Sequence, residues 1–119
     1  MKATDCTSGK ELALNLAVAD TLFARLKGLL GRSALPAGEG LWIKPCNSVH
    51  TFGMKFPIDV VFLDKGKCVV GVAKALRPNR ISRIYPGAKS VIELPAGTIE
   101  ASETMPGNQL KVILHGETC

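Results

Sequence analysis

Cys46, His50 and Met54 stand four residues apart in the stretch PCNSVHTFGMKFPIDVVFLD, residues 45–64, and Asp59 follows the Pro57 break. A thiolate, an imidazole and a thioether are soft or borderline ligands, a set suited to Cu(I) rather than to Mg or Ca. On a strand the three share one face, but steps of about 3.3 Å per residue hold neighbours in the set about 13 Å apart. One ion would then need a bend, which Gly53 and Pro57 permit. Lacking chelate spacing, the expectation is no metal and no cofactor, with Met54 filling core. Cys46, His50 and Asp59 also contain the types of a thiol nucleophile, its base and an orienting carboxylate. No local signature of a cysteine enzyme surrounds Cys46.

These residues favour a binding or accessory module over an enzyme. His50 and Asp59 are its expected polar anchors, Thr51 lies beside them, and Met54 is an adaptable apolar wall. A hydrolase or transferase using His50 and Asp59, with or without Cys46, is the alternative. Asp59 heads the apolar run Val60, Val61, Phe62, Leu63. A carboxylate there needs donors, either backbone N–H groups or the side chains of His50 or Thr51.

The second chemical signal is KALRPNRISRIYPGAK, residues 74–89, with Lys74, Arg77, Arg80, Arg83, Lys89 and no acid. The guanidinium forks of Arg77, Arg80 and Arg83 suit phosphate or carboxylate, and Tyr85 could stack on a base. The chain has only one Tyr and one Trp, so nucleic acid is disfavoured and a solvated loop is the simpler reading. A small molecule or a protein is the expected partner.

The elements that position these groups are short. The 119 residues are 46% apolar and 21% charged, with net charge +5, which fits one globular domain over residues 11–119 after a loose segment at 1–10. Leu12, Leu14, Leu16 and Val18 alternate with smaller or polar residues and predict one half-buried strand. Asp20 is placed to cap a helix over Thr21 to Leu30, with Leu22, Phe23, Leu26, Leu29 and Leu30 on its apolar stripe and Gly31 ending it. Strands are expected at Leu41 to Lys44, Asp59 to Leu63, Cys68 to Ala75, Ser90 to Leu94 and Gln109 to Leu114, with Val49 to Met54 extended. The turn Asp64-Lys65-Gly66-Lys67 has hairpin length, and Thr98 opens a helical turn. This predicts a mainly β protein, a small antiparallel barrel-like sheet of about seven strands flanked by one α-helix. No apolar stretch is long enough to span a membrane. With no signal sequence at the start, a cytoplasmic monomer with four free thiols is expected.

Three stretches together carry a family resemblance: VADTLFARLKGLLGRSALPAGEGLWI, HTFGMKFPIDVVFLD, and VIELPAGT followed by PGNQLKV. In that order, from about Leu12 to Ile113, they resemble the uncharacterised family of domain of unknown function 192. The resemblance implies a compact, mainly β domain with one helix, of bacterial and archaeal occurrence, and brings no catalytic assignment. Many members are similar at His50, Met54 and Asp59, and many lack a cysteine at the position of Cys46.

Overall fold

The computed structural model describes residues 1–114. The fold is mainly β, as the alternation predicts, with eight strands in two sheets among these residues. Strands β1 (Lys2–Asp5), β2 (Lys10–Ala13) and β8 (Leu110–Ile113) form one sheet in the order β2-β1-β8. Strands β3 (Asn15–Ala19), β4 (Glu39–Ile43), β5 (Ile58–Leu63), β6 (Val69–Leu76) and β7 (Ser90–Pro95) form the other, in the order β3-β4-β7-β5-β6. The sheets do not close into a barrel. Every pairing is antiparallel except β3 with β4, which is parallel.

Three expectations change here, each for a local reason. The run from Leu12 to Val18 is two strands, broken at Leu14, where the N–H groups of Leu14 and Asn15 both donate to the Gly38 carbonyl. The chain changes sheet at that bend, so Leu12 and Leu16 are buried while Leu14 is 50% exposed. The opening residues are ordered: β1 is the middle strand of its sheet, with Ala3 and Asp5 fully buried. Cys6, just after β1, is disulfide-bonded, whereas Cys46 and Cys68 are free, so the expectation of free thiols fails at Cys6.

Helix α1 spans only Leu22–Lys27. Thr21, not Asp20, caps it by accepting from the Ala24 N–H at 3.1 Å. Gly28, at φ 49°, ends it a turn before Gly31. No residue of α1 is buried, so Leu22, Phe23 and Leu26 of the expected stripe do not face the core, whereas Leu29, beyond the helix end, is buried and Leu30 packs beside it. A second helix, α2 (Thr98–Ala101), is a single turn after Gly97.

The five-stranded sheet has a cluster on each face. Leu16, Trp42, Val61, Ile92, Leu94 and Ile99 belong to the cluster shared with the smaller sheet. Val49, Met54, Ile58, Val60, Phe62 and Val91 belong to the other, which underlies the site. Along β5 and β7 the side chains alternate between these faces. The basic segment is pinned to the second face by Tyr85, whose ring packs on Phe62 with centroids 4.2 Å apart. Gly71, paired with Phe62 across β5 and β6, leaves the space for that ring: a Cβ there would lie 2.2 Å from a Tyr85 ring carbon.

Candidate functional site

A cavity of about 580 Å³ opens on the second face, between α1 and the segment after β4. Its apolar wall includes Leu22, Leu26, Leu29, Val49 and Met54, and its polar groups include Arg25, Cys46, His50, Lys89 and Glu93. Each comes from a different constraint. Cys46 follows Pro45, and its N–H bonds to the Lys89 carbonyl at 3.0 Å, which joins the ends of two loops. His50 forms an isolated bridge with Ile81 and stacks on Phe52 at 5.2 Å. Met54 is buried in the cluster beneath. Glu93 comes from β7, the middle strand of the sheet, pointing to the same face as Val91.

Glu93 is the chemical centre of the cavity. It is only 4% exposed, and no hydrogen bond or ion pair reaches its carboxyl among the described residues. Burial pushes its pKa up to about 7 from the ordinary carboxylate value. The protein treats its two buried aspartates differently. Asp5 accepts from the N–H groups of Thr7 and Ser8, from the Thr104 hydroxyl and from the Asn108 amide, at 2.8–3.0 Å. Asp59 accepts from the backbone N–H groups of Ala75, Gly97 and Ile99 at 2.8, 3.1 and 2.8 Å. Those carboxylates are saturated and structural; Glu93 is open to the cavity.

Of the five candidates from the central stretch, Cys46, His50 and Met54 meet at the cavity, and Thr51 and Asp59 do not. Asp59 alternates with Ile58 and Val60 on β5 and so faces the opposite cluster, where it holds the start of α2. His50 and Thr51 are not its donors, so neither the His50–Asp59 anchor nor the Cys46, His50, Asp59 constellation forms. Thr51 is fully buried and consumed by the basic segment: its hydroxyl donates to the Arg77 carbonyl and accepts from the Arg80 N–H at 2.9 Å. Burial also raises the Cys46 pKa; a hydrogen bond to the Ser48 backbone opposes this, Glu93 adds a smaller push upward, and Arg25 a still smaller one downward. A thiol held protonated is a weak nucleophile. No group of three His, Cys, Asp or Glu side chains placed to hold a metal occurs among the described residues.

Arg77, Arg80 and Arg83 are exposed on the basic segment, and Tyr85 is not free to stack on a base because Phe62 and Gly71 hold its ring. Glu93 and Arg25 are charged site residues that sequence reasoning missed, and Lys89, read there only as part of the basic run, joins them. The signal for Glu93 was present: an acid inside the apolar strand SVIELP, at a position whose neighbours are all buried.

The fold and cavity define a small two-sheet β protein whose pocket is of mixed character, with leucines, Val49 and Met54 beside Cys46, His50, two basic side chains and one buried carboxyl. The chain belongs to the DUF192 family, described as Uncharacterized ACR, whose model matches residues 3–112. It is 34% identical over 110 residues to a UPF0127 protein of Pyrococcus furiosus, covering 88% of this chain and 92% of that one. It is also 34% identical over 109 residues to a UPF0127 protein of Thermococcus sibiricus, covering 87% and 70%. Two solved structures share the fold. One is a protein of unknown function from Novosphingobium aromaticivorans (TM-score 0.82, 21% identity, 94% of this chain and 84% of that one). The other is a putative transcription regulator from Sinorhizobium meliloti (TM-score 0.77, 19% identity, 92% and 89%). No helix among the described residues is long and apolar enough to cross a membrane.

Proposed function

We propose that this protein is a binding module for a small amphiphile, taken into the cavity beside α1. The observation that carries this reading is Glu93, a buried carboxyl facing the cavity with no hydrogen-bond partner among the described residues, in a protein that saturates its other two buried carboxylates. Its carboxyl meets the open cavity rather than a protein donor, so it is available to a ligand donor. Arg25 and Lys89, which also line the cavity, suit an anionic group, and the leucines, Val49 and Met54 suit an apolar body. The ligand class is therefore an apolar molecule whose head combines a hydrogen-bond donor with a negative charge.

Norleucine carries both features on a short alkyl chain, and hexylamine and hexanoate carry one each. In thermal melts, norleucine is expected to raise the midpoint of the wild type more than either. Glu93→Gln should abolish the advantage of norleucine over hexanoate. Equal responses of wild type and Glu93→Gln, or no response to any of the three, would overturn the proposal.

A further inference from the structure

We propose that the end of the molecule formed by α1 and the loops 47–53 and 77–85 docks on an anionic lipid surface. This surface surrounds the mouth of the cavity and shares Leu22 and Leu26 with its wall, so its test uses residues outside that wall. The two loops are joined: the Thr51 N–H donates to the Arg80 carbonyl at 2.8 Å, and the Tyr85 N–H to the Asn47 carbonyl at 3.0 Å. The first of them adjoins α1, since Leu22, Leu26 and His50 line one cavity and a Cβ on Gly53 would touch Leu30 at 3.3 Å. They therefore form one continuous end of the protein.

Two properties of that end point to lipid. Leu22, Phe23, Leu26, Phe52, Ile81 and Ile84 are each 47–76% exposed, and they make up six of the ten large apolar side chains exposed among the described residues. Apolar side chains concentrated on one surface mark an interaction site. Apart from the exposed Asp20 just before α1, the charges beside them have a single sign. There is no acidic residue at 21–38, 40–58 or 65–92, so the exposed charges on α1 and both loops are all cationic. Arg77, Arg80 and Arg83 enter none of the three salt bridges among the described residues. Large aliphatic and aromatic side chains interleaved with arginines fit the boundary between lipid headgroups and acyl chains, where the apolar groups insert and the cations meet phosphate. Nucleic acid fits less well. Leucine and isoleucine offer bases no stacking face, Tyr85 is held by Phe62, and Phe52 is stacked on His50.

The test is co-sedimentation of the full chain with vesicles of phosphatidylcholine alone or mixed with phosphatidylserine, at low and physiological salt. Binding is expected only with phosphatidylserine and should weaken as salt rises. Arg80→Gln and Arg83→Gln should each weaken it about five-fold. Phe23→Ser and Ile84→Ser, which lie outside the cavity wall, should weaken it at every salt concentration with unchanged melting temperature. The same variants are titrated with a DNA duplex and screened for a captured protein. The proposal is overturned if mixed vesicles are not bound at low salt. It is also overturned if Phe23→Ser and Ile84→Ser bind vesicles like the wild type. Binding to DNA or to an acidic protein without binding to vesicles would reassign the surface to that partner.

Discussion

The Oδ2 oxygen of Asp59 accepts from the backbone N–H of Ile99 at 2.8 Å, tying β5 to the first turn of α2 across 40 residues of sequence. The same oxygen takes the Gly97 N–H, and Oδ1 takes the Ala75 N–H. Asp59→Asn replaces one acceptor oxygen with an amide donor facing an N–H group. The expected loss is about 1–3 kcal/mol in denaturant melts. The cavity lies on the opposite face, so probe binding should be unchanged. A stability change within error would show that these bonds contribute nothing net.

Glu93 makes stability depend on pH in a direction opposite to that of most carboxylates. Folded, it keeps its proton up to about pH 7; unfolded, it releases it near 4.5. Between those values the folded state binds more protons, so its stability falls as pH rises, and the loss is complete above about 7. That gap amounts to on the order of 3 kcal/mol. Glu93→Gln should therefore be more stable than the wild type at pH 8 and match it near pH 4.5. Parallel stability–pH curves for the two proteins would refute the assignment.

Gly71 and Tyr85 form a steric pair. Gly71→Ala puts a methyl where the ring lies, and the expected cost is about 1–3 kcal/mol. Tyr85→Ala removes the obstacle, so the methyl should cost much less in that background. Additive losses in the double variant would mean that the ring is not what the methyl meets.

Cys46 should alkylate more slowly near neutral pH than a free-thiol standard, because burial and Glu93 both favour its protonated form. Glu93→Gln removes one of those influences and should speed the reaction. Mapping the labelled peptide separates Cys46 from Cys68, the other free thiol among the described residues. Labelling of Cys46 faster than the standard would restore the nucleophile reading.

The strands whose signals are local were legible in the sequence. Apolar runs around the Asp64 to Lys67 turn placed β5 and β6 to within a residue or so, because a buried strand and a four-residue turn are specified by adjacent side chains. What failed depends on distant backbone. The break at Leu14 is made by the Gly38 carbonyl, and the donors to Asp59 come from α2 and β6. The leucines of α1 have helical spacing whether they face a core or an open cavity, so periodicity cannot tell which. The cavity draws on α1, two loops and β7; only the part carried by Cys46, His50 and Met54 lies in one stretch.

The position of β1 between β2 and β8 bears on how the chain is made. Residues synthesised early pair with residues synthesised more than a hundred positions later, Lys2 opposite Ile113 and Asp5 opposite Leu110. A nascent chain can pair β1 with β2 early but cannot complete the smaller sheet until β8 leaves the ribosome. Until then one edge of β1 stays open to other strands, a period of exposure to misassembly that ends only when β8 pairs. A chain stopped at residue 109 should accordingly be digested by protease under conditions that spare the full chain.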